Sequence, residues 1–255
     1  MAGIITIMTM RMMVMAIIMA TTTTIITTTM LADAAFHRLL AWTSPSYPVG
    51  SFTYSHGLET AVEDGRVRTA AHVAAYVEAV LARGGGWVDA VLFVHAYHAA
   101  GDGAAFDDIA ELAGAFRGSS ETALESRQQG GSFLSVTRKA WPHADLDAFA
   151  ARWGDRPMAH AAVMALACAA HAIPLEPALH AWLHATAANL VSAGVRLVPL
   201  GQTDGQLALA ALSHAIPPIA AKALVTSLDD LGTAAPELEL ASLAHETLYT
   251  RLFRS

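Results

Sequence analysis

Twelve histidines in 255 residues are the largest reserve of chemistry in this chain. Neutral imidazole is a good ligand for nickel, copper and zinc. Two pairs, His95 with His98 and His180 with His184, have the spacing that puts both rings on one helical face. Neither pair has a third ligand close in sequence, and two ligands rarely hold a metal tightly. Both read more simply as partly buried structural histidines, with a transient contact in a passage as the functional alternative. His245-Glu246-Thr247-Leu248-Tyr249 imitates a zinc-protease helix, but Tyr249 stands where that motif needs its second histidine. Cys168, the single cysteine, lies in the apolar run 164–170 with no charged neighbour to stabilise a thiolate. It reads as a small buried hydrophobe. Lysine occurs only at 139 and 222, neither after a glycine-rich phosphate loop, and no Gly-x-Ser-x-Gly is present. No complete catalytic set emerges, so the sequence reads as a non-enzyme with no cofactor.

The elements that must position these residues are helical almost throughout. Apolar residues make up 54% and charged residues 15%, which excludes a disordered chain. A formal charge of −7 without an arginine cluster argues against a nucleic-acid surface. One unpaired cysteine suits the cytosol. Helical patterns are expected over 34–42, 56–64, 70–82, 87–99, 106–116, 121–141, 145–153, 158–172, 175–200, 204–215, 219–228 and 239–252. Thr69 and Ser119 or Ser120 are expected caps. Gly84-Gly85-Gly86 should stop one helix, and Pro217-Pro218 should separate two. Gly130-Gly131 inside 121–141 predicts a kink or a close backbone approach. With no strand pattern, the expectation is a single all-α domain of about ten helices over 31–255. Residues 1–30, built from Met, Ile, Thr and Ala with Arg11 as the only charge, read as a disordered or non-native extension. Arg11 splits the apolar stretch below the roughly 18–20 residues a membrane span needs, so no membrane association is expected.

Between the first two helices lies the loop Ser44–Glu59, with two prolines, two glycines and three aromatics. It should be ordered, since each proline fixes φ and the aromatics need a surface to pack on. Charge is sparse elsewhere, so Glu125-Ser126-Arg127-Gln128-Gln129-Gly130 and the closing Arg251-Leu252-Phe253-Arg254-Ser255 stand out. Arginine and aromatics dominate interface hot spots.

The run Pro48-Val49-Gly50-Ser51-Phe52-Thr53-Tyr54-Ser55-His56-Gly57-Leu58-Glu59 resembles the N-terminal signature of UreF-type urease accessory proteins. Ser51 stands where that family usually has a second glycine, which questions any positive φ there. Glu125-Ser126-Arg127 with Gly131, Val195–Gln206, and His245-Glu246 with Tyr249 and Arg251–Ser255 resemble three further family segments in order. The resemblance implies an all-α, dimeric, cytoplasmic, non-enzymatic adaptor. It would act with a UreD/UreH-type scaffold and a UreG-type GTPase to deliver nickel to apo-urease. Within these segments, partner-binding roles are expected for Phe52, Tyr54, His56, Glu59, Glu125, Arg127, Gln202, Gln206, His245, Glu246, Tyr249, Arg251, Leu252, Phe253 and Arg254, the aromatics and arginines standing at exposed-type positions. Of these, Phe52, Tyr54, His56 and Glu59 are expected on a partner-facing or passage-lining surface, and 251–255 on a docking surface. The competing readings are a metal-dependent enzyme or metal-binding protein using the histidines, and a plain helical dimerisation module.

Overall fold

Helix starts follow local hydrogen-bond supply. Thr69 Oγ1 accepts from the His72 amide and opens α3 (Ala70–Arg83). Asp102 accepts from two amides and opens α5 (Gly103–Ala115). Ser119 and Thr122 form a capping box that opens α6 (Ser120–Ala140). The structure, a computed structural model, describes residues 33–255. The reading of 1–30 as an extension lies outside the described residues. The remaining α-helices are α1 (Asp33–Trp42), α2 (Leu58–Glu63), α4 (Gly85–Ala99), α7 (Ala144–Trp153), α8 (His160–Ala170), α9 (Leu175–Leu197), α10 (Gln202–Ala223) and α11 (Pro236–His245). The fold is all-α, with no strand among the described residues.

The core is α4 packed on α8, with α6 and α9 beside them. From Ala161 to Cys168 every residue of α8 is buried, and α4 is buried on nearly all sides. A helix apolar all round belongs in the middle of a bundle. Small residues let neighbouring backbones approach. A Cβ at Gly130 would lie 2.1 Å from the Met158 carbonyl oxygen, so α6 rests on the chain entering α8. The close approach expected at this glycine pair falls on Gly130; Gly131 faces open space.

Two helix expectations need correction. Residues 202–223 form one helix with Pro217 and Pro218 inside it. Each proline removes a helical hydrogen bond, yet both lie on the exposed face. Leu212, Ile216, Ile219 and Ala220, buried on either side of them, hold the helix against α9 and α3. The last helix ends at His245 rather than 252, because the tail after it leaves to bond elsewhere in the protein. Left-handed backbone falls at Gly50, His56 and Gly57, while Ser51 sits in a short 3-10 turn (Ser51–Thr53). This accounts for Ser51 in place of glycine, and it delays α2 to Leu58.

Candidate functional site

Helices α3, α4, α6, α8, α9 and α11, the 115–119 turn and the 43–56 loop surround a partly open cavity of about 640 Å³. Its apolar walls include Val88, Met164 and Trp182. Two ionic pairs face it. Arg117 grips Asp89 through both carboxylate oxygens, at 3.0 and 2.7 Å, and also donates to the Ala113 carbonyl. Nearby, His56 Nε2 lies 3.0 Å from Glu125 Oε1, which also accepts from Gln129 Nε2 at 2.8 Å.

The two cavity histidines are pushed in opposite directions. Burial alone would pull His56 down, but the charge and hydrogen bond of Glu125 outweigh it, and the net shift is upward. His160 has no such partner. Burial lowers it to about 4, and its Nε2 has no hydrogen-bond partner among the described residues. The Trp42 indole N–H, also on the cavity wall, is likewise unpartnered among them.

Behind the His56–Glu125 pair lies the seat of the C-terminal tail. Glu59 Oε1 accepts from the Leu252 amide at 2.6 Å and its Oε2 from the Phe253 amide at 3.0 Å. His245, completely buried, places Nε2 3.0 Å from Glu59 Oε2 and Nδ1 2.6 Å from Glu121 Oε2. Carboxylates only accept, so both contacts require a hydrogen. Either the imidazole carries both, or one carboxyl keeps one. Arg251 bonds the other Glu121 oxygen. Ser255 Oγ donates to Glu125 Oε2 at 3.0 Å, and the Ser55 amide donates to the Ser255 carbonyl at 2.9 Å. Glu125 therefore touches the cavity with one oxygen and the tail with the other.

Several of the residues expected to bind partners are interior. Tyr54, Glu59, Glu125, His245 and Phe253 are buried. Tyr54 bonds Gln128 and Phe253 packs into the core. The physical reason is mutual: the tail lies over the loop, so each hides the other. Phe52, Tyr249 and Leu252 are exposed, as are Arg127, Arg254, Gln202 and Gln206. The Arg196 guanidinium lies between the rings of Phe52 and Phe253, 3.6 and 4.4 Å from their centroids. Glu246 accepts from the amide and hydroxyl of Ser120, and those bonds hold its carboxyl below the usual range. Gln202 and Gln206 take no part in the seat's hydrogen bonds.

Sequence reasoning missed Asp89, Arg117, Glu121, His160, Ser55 and Trp42. Asp89 did leave a signal: it is the only Asp, Glu, Lys or Arg in α4. Of the histidine pairs, His184 reaches the cavity wall and His95 bonds the Thr226 carbonyl at 2.9 Å. Among the described residues no group of three His, Cys, Asp or Glu side chains is placed to hold a metal ion. Cys168 is fully buried and its thiol is pushed far up by that burial. No helix of the described residues is long and apolar enough to cross a membrane.

Fold and site together define an all-α protein whose polar chemistry is divided between an internal cavity and a docked tail. The UreF family model matches residues 67–213. A urease accessory protein UreF from Granulibacter bethesdensis is 51% identical over 225 residues, covering 88% of this chain and 95% of the relative. Those named urease accessory protein UreF from Bradyrhizobium diazoefficiens and from Rhodopseudomonas palustris are 46% and 47% identical, over 87% and 88% of this chain and 92% and 93% of theirs. The chain belongs to the UreF family of urease accessory proteins.

Proposed function

We propose that this protein is an adaptor in urease maturation. It couples a UreG-type GTPase to a UreD/UreH-type scaffold for nickel insertion into apo-urease, acting as a homodimer in the cytoplasm without making or breaking bonds itself. The observation that carries this reading is Glu125. It joins an interior cavity to a tail that presents Tyr249 and Leu252 to solvent. In this reading nickel is cargo, and the cavity with its acidic and imidazole wall is the passage. His56 and Glu125 line that passage, while Phe52, Tyr249 and Leu252 form the docking surface. Glu59, His245 and Arg251 hold the docking surface in shape. State changes in the GTPase would alter metal release by reciprocal linkage.

The test is capture of the scaffold by chains carrying Tyr249→Ala and Leu252→Ala. Both residues are exposed, so the fold is spared. Loss of capture is expected, and undiminished capture would refute the tail assignment. Stoichiometric metal kept by the lone protein, or turnover of a substrate, would favour the enzyme reading instead. Self-association with no capture of urease components would leave only a dimerisation module.

A further inference from the structure

The wall between the cavity and the tail is one pair of side chains thick. His56 and Glu125 face the cavity with Nε2 and Oε1. From the same two residues, the His56 amide and Glu125 Oε2 reach Ser255 Oγ, at 3.4 and 3.0 Å. No tail residue borders the cavity itself. Residues 246–255 thus lie across the outside of a thin polar partition.

Beyond that partition acidic groups continue. Asp89 and Glu125 face the cavity; Glu59 and Glu121 lie under the tail. All of the tail's charged and amide ties to this row are to carboxylates that the rest of the fold supplies. Arg251 bonds Glu121, and the Leu252 and Phe253 amides bond Glu59. The Arg254 amide bonds the Thr53 carbonyl at 2.8 Å, and its guanidinium reaches Gln128 at 3.4 Å. The tail adds no helix and is held mainly by hydrogen bonds plus one buried ring, Phe253. A segment with few apolar contacts opens at lower free energy than the core it covers. His56 is also held at φ +54, a conformation that non-glycine residues seldom adopt. Its amide is tied to Ser255 and its carbonyl accepts from Tyr76 Oη at 2.8 Å. The strained residue is therefore the one that the tail holds in place.

We infer that residues 246–255 are a strap that closes a second opening of the cavity. Lifting the strap exposes the Glu125–His56 partition from outside and joins the cavity to the surface along Glu125, Glu59 and Glu121. The species that this path would pass is a small cation, by the sign of Glu125, Glu59 and Glu121 once Arg251 has left with the strap. The exposed Tyr249 and Leu252 make the strap itself the point at which a docking protein would act on the opening. This inference rests on the reading of the cavity as a passage and adds its regulation.

The experiment uses the full chain with Ser126→Cys, a cavity-wall position beside Glu125. The natural Cys168 is buried and serves as the unlabelled reference. The rate of alkylation by a small neutral maleimide is compared with that of the same chain carrying Arg251→Ala and Ser255→Ala. Hydrogen exchange at the Leu252 and Phe253 amides reports strap opening. The introduced thiol should react about tenfold faster when those amides exchange faster, because a second entrance opens. Deletion of 251–255 removes the strap outright and should give the largest rate. An unchanged rate in that deletion, in a chain that keeps its helical circular dichroism, would overturn the inference. A separate arm fills the cavity with Ala188→Trp, at a half-buried wall position of α9, and follows nickel delivery to apo-urease. Normal delivery there would refute the passage, whatever the labelling result says of the strap.

Discussion

The α4–α8 core and the seat under the strap are both buried, but they are built on opposite principles. In the core the side chains are apolar, and burial of area supplies the stabilisation without regard to direction. In the seat Glu59, Glu121, Glu125 and His245 are buried together, and each needs a partner in a set direction. The core tolerates conservative apolar exchange but not added volume where backbones touch. In the seat, loss of one carboxylate or one donor leaves a buried partner unsatisfied. A protein that must hold a shape and also release a part of it gains from having both.

The sharpest way to break this contrast is the glycine pair in α6. Gly130→Ala puts a methyl 2.1 Å from the Met158 oxygen and should cost about 3 kcal/mol or more, since helix and core must separate. Gly131→Ala meets nothing and should stabilise by about 0.5–1 kcal/mol through helix propensity. Thermal unfolding of the two variants reads the difference directly; similar melting points would show that α6 does not rest on the chain entering α8.

The cavity histidines give the next effect, through pH. His160 is lowered by burial, so its contribution is complete above its ordinary value of 6.5 and fades as pH falls toward about 4. Up to about 3 kcal/mol should be lost across that window. His160→Gln should flatten it, measured by urea unfolding at a series of pH values. His56 is raised, so its contribution is complete below 6.5 and fades as pH rises through its folded value. Glu125→Gln should remove that alkaline-side loss. A profile that falls on both sides, each side cleared by its own variant, is the expected outcome; one variant clearing both would show that the two rings act as one group.

Glu59→Gln tests the seat. The amide keeps the shape but turns one of two acceptors toward donors, which should weaken strap docking by about 2 kcal/mol. Amide exchange at Leu252 and Phe253 should quicken while the global melting point moves little. If the melting point drops with the exchange, strap and core unfold as one unit and the contrast fails. The smallest effect belongs to Tyr249→Ala and Leu252→Ala, which should stay within about 0.5 kcal/mol of the parent because both are exposed.

What could be read from the sequence follows the same division. The core was legible because its signals are local: period 3.6, the Thr69 and Ser119 caps, the glycine run 84–86 at the junction of α3 and α4, two more glycines in α6. The seat was not, because His245 meets Glu59 across 186 residues of sequence. Nothing near His245-Glu246 announces that partner, and an isolated charged residue reads as exposed by default. The tail motif was visible as arginine and aromatics, but its burial depends on Glu59 and Thr53 arriving from the other end of the chain. Pro217-Pro218 misled for a related reason. Local chemistry forbids the helix, and packing on both sides of the pair overrules it.

That double proline leaves a mechanical trace. The carbonyls of Ser213 and His214 lose their normal intrahelical donors, so two successive rungs are missing from a rod of 22 residues. Bending stiffness there comes from side chains lodged against neighbours and no longer from the backbone ladder. A lateral push on the N-terminal half of α10 should therefore be absorbed at 213–218 rather than transmitted to Ala223.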